Sequence, residues 1–172
     1  PAAELFINGK SYGKQSKNNS SLKSRYRLMW MDAVYEPGEV KVVAYNKDGK
    51  AVAEKTVRTA GKPHHIELVS NRNELTADGK DLAYVTVKVV DKDGNLCPTD
   101  SRLIHFSVKG AGKFRAVANG DPTNLEQFHL PKMHAFHGML TAIVQAGEIA
   151  GDLVLTAKAS GVKTGTVHLQ AK

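Results

Sequence analysis

Four aspartates that could take part in acid–base chemistry all lie in turn sequences. Catalysis by a carboxylate pair needs one group on each side of the reacting bond, one of them with a raised pKa. Asp48, Asp78 and Asp93 each precede a glycine, and Asp121 lies in the segment Asn119-Gly120-Asp121-Pro122. Aspartates in such turns accept hydrogen bonds from their own backbone. The sequence therefore predicts structural turns here and no catalytic residue.

Histidines raise the question of a metal site. His129, His134 and His137, with Asp121 upstream, could supply the three protein ligands of an open zinc centre. Their spacing matches no pair on one helix face, and histidine on a loop is usually polar surface. We therefore expect no metal ion and no cofactor. Cys97 is the single cysteine, so an internal disulfide is excluded, and we expect a small half-buried apolar side chain at this position.

The turn at 119–122 and the segment after it form a candidate recognition surface. Binding residues concentrate on loops that a rigid scaffold carries. Asn119 and Asp121 have polar groups that can bridge sugar hydroxyls, and Phe136, like Phe128, has a ring that can stack on a sugar face. The alternative is a structural turn capped by an aromatic side chain. The sequence alone leaves both interpretations open.

The elements that must position these groups show the alternation of apolar and polar residues that is typical of β-strands. In residues 1–61 we expect strands near 4–7, 25–31, 40–45 and 52–57, with a polar loop after the Asn8-Gly9 turn. Trp30 falls on the apolar face of the second of these strands and is predicted to be a core residue. Because four strands leave a small sheet with one bare face, we expect a partial immunoglobulin-like domain whose first strands lie upstream of Pro1.

The segment Ala60-Gly61-Lys62-Pro63 is predicted to link this unit to a second one, residues 62–172. Seven strands are expected there, around 66–68, 85–89, 104–108, 114–118, 139–145, 153–155 and 167–169. This number of short strands is typical of an immunoglobulin-like sandwich. The predicted fold is therefore all-β, with tandem immunoglobulin-like antiparallel β-sandwiches, the first truncated at its N-terminus.

Charge is unevenly distributed along the chain. The net charge is +7, and residues 1–61 carry +5 of it. Six basic side chains and no acidic one lie between Lys10 and Arg27. A basic patch can bind phosphate backbones, but the polar loop 18–21 lacks the aromatic platform of single-strand binders. We expect a solvated loop, no nucleic-acid partner and, since no apolar run approaches ~20 residues, no membrane insertion.

Several stretches resemble family-two glycoside hydrolases of the β-galactosidase type. Residues 4–13, Trp30 and 35–45 are similar to the accessory domain that follows the catalytic barrel in that family, and 58–63 resembles its junction to the last domain. Asn119-Gly120-Asp121-Pro122-Thr123 and Ala135-Phe136-His137-Gly138 resemble motifs of the last domain, where the position of His137 is more often Asn. The second unit also resembles bacterial invasin-type immunoglobulin-like repeats, through 76–81 and 85–95.

This resemblance implies a non-catalytic C-terminal region of a secreted, periplasmic or cell-surface bacterial enzyme, because the family's catalytic glutamates belong to the barrel. The barrel of the same parent chain is the implied partner, with an oligosaccharide as a second candidate. Asn119, Asp121, Phe136 and His137 are then candidate sugar or interdomain contacts. Two alternatives remain, namely a carbohydrate-binding module and an adhesin-type stalk.

Overall fold

We describe the protein from a computed structural model that covers residues 2–172. The chain divides into two compact units, with the boundary between Thr59 and Ala60. Both are built almost entirely from β-strands in antiparallel sheets, which confirms the predicted fold class. The helical part of residues 2–172 provides no segment with the length and hydropathy needed to cross a bilayer.

The first unit forms one four-stranded antiparallel sheet in the order β2-β1-β3-β4. Its elements are β1 (Ala2–Ile7), β2 (Lys10–Ser16), α1 (Leu22–Tyr26), β3 (Glu39–Tyr45) and β4 (Ala51–Arg58). Leu5 and Ile7, on the central strand β1, are the side chains of this unit that are fully buried among the described residues. The apolar core of the first unit is therefore small.

One predicted strand of the first unit was wrong. Residues 27–31 are not a strand, and α1 ends at Tyr26, so the second strand is the polar segment β2. The reason is the turn at Asn8 and Gly9, whose φ angles of 48° and 81° suit a two-residue hairpin. This hairpin pairs β2 directly with β1, although few residues of β2 are apolar. Trp30 is consequently half-buried, and its indole N–H donates to the carbonyl of Gly13 at 2.9 Å.

The second unit is a sandwich of two sheets. One sheet has the order β10-β8-β12-β13-β6 and the other β5-β7-β11-β9, and every pairing is antiparallel except β13 with β6. The strands are β5 (His65–Ser70), β6 (Glu74–Leu75), β7 (Leu82–Val90), β8 (Leu103–Gly110), β9 (Gly112–Ala118), β10 (Lys132–His134), β11 (Met139–Ala146), β12 (Gly151–Lys158) and β13 (Gly165–Ala171). All seven predicted strands are confirmed, and the short strands β6 and β10 are additional.

A single apolar core joins the two sheets of the second unit. Val85 and Val87 of β7 and Leu153 and Leu155 of β12 are completely buried in the same cluster. Alternate residues of each strand point into this cluster, which is what the period of two in the sequence requires. The core fixes the positions of the strand ends, and the loops that leave those ends carry the candidate site.

Candidate recognition surface

The polar side chains of the turn that begins at Asn119 form hydrogen bonds with other groups of the protein. The Asn119 amide donates from Nδ2 to the carbonyl of His134 at 3.0 Å, and its Oδ1 accepts from the backbone N–H of Asp121 at 3.0 Å. Asp121 in turn accepts from the backbone N–H and the hydroxyl of Thr123, at 2.8 and 2.7 Å. Asn119 thus ties the end of β9 to β10, and both ends of its amide are occupied.

Phe136 and His137 lie in a tight turn between β10 and β11. Phe136 and Met139 exchange two backbone hydrogen bonds, and His137 and Gly138 have φ angles of 51° and 74°. These angles are those of a type I′ turn, the form that suits a two-residue hairpin. The Phe136 ring is half-buried and lies 4.2 Å from the His137 ring, centroid to centroid. The turn therefore presents the exposed His137 imidazole with an aromatic ring beside it.

The left-handed backbone at position 137 limits which residue types fit there. Asn and Asp adopt positive φ more readily than other non-glycine residues, and His is also enriched there. An Asn at this position would meet the same backbone requirement. The backbone of the turn therefore restricts the choice of residue at position 137, independently of the contacts that the side chain makes.

Two of the three histidines considered as metal ligands, His134 and His137, lie against other partners. His134 Nδ1 lies 3.0 Å from Glu126 Oε1, and the backbone N–H of His134 donates to Glu126 Oε2 at 3.1 Å. His137 Nδ1 faces the carbonyl of Pro98 at 3.3 Å. Within residues 2–172 no three His, Cys, Asp or Glu side chains are grouped closely enough to hold a metal ion. Glu126, which sequence reasoning missed, acts here as the partner that fixes His134.

Backbone hydrogen bonds hold the loop between β9 and β10. The backbone N–H of Val117 donates to Phe128 at 2.8 Å, and that of Phe106 donates to Pro131 at 2.8 Å. With the loop fixed at both ends, its middle presents apolar groups to solvent, since Leu125 is 96% and Phe128 57% exposed. These two side chains make the end of the sandwich suitable for contact with another surface.

Electrostatics argue against acid–base catalysis at this surface. The backbone N–H of Thr123, then its hydroxyl, lowers the pKa of Asp121 below its usual range. Each carboxyl of residues 2–172 with a shifted pKa is shifted downward, and these are Glu4, Asp78, Asp81, Asp91, Asp100 and Asp121. A general acid needs the opposite shift, so that it keeps its proton near neutral pH. These carboxylates are suited to accepting hydrogen bonds.

Asp91 shows what the turn aspartates do instead. It is only 2% exposed and accepts from the backbone N–H groups of Asp93 and Asn95, at 2.9 and 2.8 Å, and from that of Gly61 at 2.8 Å. The Gly61 N–H, followed by the Asn95 amide, is the main cause of its lowered pKa. Sequence reasoning singled out Asp93 of this turn and missed Asp91, whose contact with Gly61 spans 30 residues of chain.

The motif residues of the first unit also serve an internal connection. Asn8 donates from Nδ2 to the carbonyl of Pro37 at 3.1 Å and accepts at Oδ1 from the backbone N–H of Glu39 at 2.8 Å. The Thr59 hydroxyl lies 3.1 Å from the Tyr35 hydroxyl and accepts from the backbone N–H of Gly38 at 3.0 Å. The hairpin, the 35–38 turn and the end of β4 are thus tied together.

The sequence matches two family models and several curated proteins. Residues 66–168 match the model of the glycoside hydrolase family 2 C-terminal domain 5, and residues 1–53 match a domain of unknown function, DUF4982. The beta-galactosidase BoGH2A of Bacteroides ovatus is 43% identical over 98% of this chain, which corresponds to 19% of that protein. The chain spans about a fifth of the length of the curated relatives that it first matches.

Solved structures give the same result. A glycosyl hydrolase family 2 member from Bacteroides cellulosilyticus superimposes with a TM-score of 0.83 and 32% identity, covering 99% of this chain and 21% of that one. A beta-glycosidase from Bacteroides vulgatus superimposes with a TM-score of 0.87 and 28% identity, with coverage of 99% and 21%. In each of these comparisons nearly the whole of this chain, and so both β-units, superimposes on about a fifth of the larger protein. This chain therefore belongs to the glycoside hydrolase family 2 C-terminal domain 5 family and is an accessory region of such enzymes.

Proposed function

We propose that this chain is the non-catalytic C-terminal β-region of a glycoside hydrolase of the β-galactosidase type and acts as a scaffold beside the catalytic barrel of the same parent chain. One observation carries the proposal. The polar residues Asn8, Asp91 and Asn119 each hold two or more backbone segments together, and Asp121 fixes its own turn through Thr123. Residues used in this way rigidify loops and are poorly placed to bind or transform a substrate.

Of the two roles expected for Asn119, Asp121, Phe136 and His137, we favour interdomain contact. The polar atoms of Asn119 are satisfied internally, while Leu125 and Phe128 beside them are apolar and exposed. The Phe128 ring alone could stack on a sugar face, but an exposed apolar pair on a fixed loop fits a protein surface better. Leu125→Ser and Phe128→Ser in the parent enzyme should lower its Tm while leaving the Tm of the isolated 172-residue chain within about 2 °C.

The experiment that tests the scaffold role uses the full parent reading frame, expressed with and without the segment corresponding to residues 1–172. A (β/α)-barrel with two suitably placed glutamates is expected upstream. We expect the intact parent to hydrolyse a β-galactoside, and the shortened parent to lose thermal stability or solubility. A shortened parent with unchanged stability, expression and kcat/KM would contradict the scaffold role.

We also propose a secreted, periplasmic or cell-surface location for the parent enzyme, which rests on family resemblance. Fractionation of cells that express the tagged parent gene tests it. Recovery of the tagged protein with a cytosolic marker would overturn this location and leave the scaffold role unaffected.

A further inference from the structure

A concentration of positive charge lies in the first unit, between Lys10 and Arg27. It comprises six exposed cations on β2, the following turn and α1, which we name the β2–α1 basic surface: Lys10, Lys14, Lys17, Lys23, Arg25 and Arg27. The ion pairs among residues 2–172 use other cations than these six. Such a concentration of one sign attracts polyanions and raises their rate of association.

Hydrogen bonds hold the parts of this surface together. The Arg25 guanidinium donates from Nε and Nη2 to the carbonyl of Asn19, at 3.0 and 2.8 Å, which ties α1 to the turn that follows β2. Further along, Gln15 of β2 donates to the carbonyl of Met29 at 2.8 Å. The cations are therefore carried by one connected piece of structure.

Tyrosine rings accompany three of the six cations. Lys14 Nζ lies 3.8 Å from the centroid of the Tyr45 ring, Lys10 Nζ lies 5.6 Å from that of Tyr12, and the Arg25 guanidinium lies 5.9 Å from that of Tyr26. Tyr26 is 75% exposed. Contacts of this kind hold the cations near aromatic faces, so the surface combines positive charge with aromatic rings, of which Tyr26 is exposed.

One carboxylate lies within this region. Glu4 is the cross-strand partner of Lys14, and it accepts hydrogen bonds from the hydroxyls of Ser11 and Tyr45, at 2.6 and 3.0 Å. It offsets one of the six positive charges and leaves a clear local excess. Its hydrogen bonds also fix the Tyr45 ring under Lys14.

We propose that the β2–α1 basic surface binds an acidic polysaccharide, a chain of sugar residues that carry carboxylates. A uronic acid residue presents a carboxylate for the cations and an apolar ring face for tyrosine. Single-stranded nucleic acid is less favoured, because its binders stack successive bases on aromatic platforms inside the basic groove and the loop 18–21 contains no aromatic residue. This binding goes beyond the scaffold role and does not depend on it.

The test measures binding of the full 172-residue chain to polygalacturonate by isothermal titration calorimetry, at about 50 mM and about 300 mM salt. The test variant is Lys17→Gln/Lys23→Gln/Arg27→Gln, whose side chains make no hydrogen bond or ion pair in the structure of residues 2–172. The matched control is Lys92→Gln/Lys109→Gln/Lys158→Gln, three exposed lysines of the second unit, which changes the net charge equally. Neutral dextran and a 20-nucleotide single-stranded DNA are the comparison ligands.

We expect the test variant to weaken polygalacturonate binding about tenfold or more at the lower salt, and the control to weaken it less than threefold. Binding should weaken as salt increases, and dextran should not bind. Three results would overturn the proposal: no binding by the unmodified chain, equal losses in both triple variants, or tighter binding of the DNA than of polygalacturonate. Circular dichroism of each variant verifies that its fold is retained.

Discussion

The turn that carries Phe136 and His137 depends on a glycine that cannot gain a side chain without disturbing the loop between β7 and β8. A Cβ added at Gly138 would lie 2.3 Å from the carbonyl oxygen of Cys97. Gly138 also donates its N–H to Asp100 and accepts from the N–H of Val89, both at 2.9 Å. Gly138→Ala must therefore displace backbone that is fixed by hydrogen bonds on both sides.

Gly120 provides a matched control at the same end of the sandwich. Its φ of 77° is close to the 74° of Gly138, but a Cβ there would have no atom within 4 Å. Left-handed backbone costs an alanine about 1–2 kcal/mol, partly offset by about 0.4–1 kcal/mol from the less flexible unfolded chain. We expect Gly120→Ala to lower the free energy of unfolding by about 1 kcal/mol.

Gly138→Ala carries the same backbone cost and two further ones. Overpacking against the Cys97 carbonyl costs about 1–3 kcal/mol, and weakening of the two hydrogen bonds costs about 1 kcal/mol each. Together with the backbone cost of about 1 kcal/mol, the expected total is about 4–6 kcal/mol. For a unit the size of residues 60–172, 1 kcal/mol corresponds to about 4 °C in Tm. The expected shifts are therefore about 4 °C for Gly120→Ala and about 16–24 °C for Gly138→Ala.

The assay is thermal unfolding followed by far-UV circular dichroism and by tryptophan fluorescence. The single tryptophan, Trp30, lies in the first unit, so its fluorescence reports that unit alone. Both glycine substitutions should shift the dichroism transition and leave the fluorescence transition in place. Equal Tm shifts for the two variants would refute the argument that contact with Cys97 sets the cost.

Other expected outcomes concern single residues. His137→Asn should leave the Tm of the second unit unchanged or slightly raised, whereas His137→Val should cost about 1–2 kcal/mol, because a β-branched residue tolerates left-handed backbone poorly; calorimetry measures both. Asp91 has a lowered pKa in the fold, so its carboxylate stabilises the protein above about pH 4 and that contribution is lost as the pH falls further. Between pH 5 and 2, the free energy of unfolding of Asp91→Asn should therefore fall less than that of the unmodified chain. Urea titrations at each pH measure this, and an equal dependence of the free energy on pH in both proteins would contradict it. Asn8→Ala should lower the stability of the first unit by about 2 kcal/mol, seen in Trp30 fluorescence, since it removes the contacts to Pro37 and Glu39; an unchanged fluorescence transition would contradict the structural role of this motif.

The sandwich of the second unit was predictable because its core residues alternate strictly. Val85, Val87 and Val89 are separated by half-buried or exposed residues, and all three are buried as that pattern requires. β2 was missed because an edge strand of a small sheet buries little, so its sequence is polar and carries no periodic signal. The hairpin turn at Asn8-Gly9 was the available clue, since a two-residue turn of this kind places a strand on each side of it.

The candidate site was predictable only in part. The sequence places Asn119 and Asp121 in a turn, but it does not indicate that the Asn119 amide reaches the carbonyl of His134, which lies 15 residues along the chain. The same limit applies to the pairing of Glu126 with His134 and to the burial of Asp91. Each depends on strands of the folded sandwich bringing distant backbone groups together. Local turn chemistry is visible in a sequence, whereas the long-range use of a turn side chain depends on the sheet register.

The most direct test of the central claim is a hydrolysis assay with the purified 172-residue chain. p-Nitrophenyl β-galactoside and p-nitrophenyl β-glucuronide would be incubated with increasing protein concentrations between pH 4 and 8. An accessory region without catalytic carboxylates should release p-nitrophenol at the rate of the buffer blank. Release that increases with protein concentration, and that is abolished by Asp121→Asn or Glu126→Gln, would show that these carboxylates catalyse hydrolysis and would contradict the account.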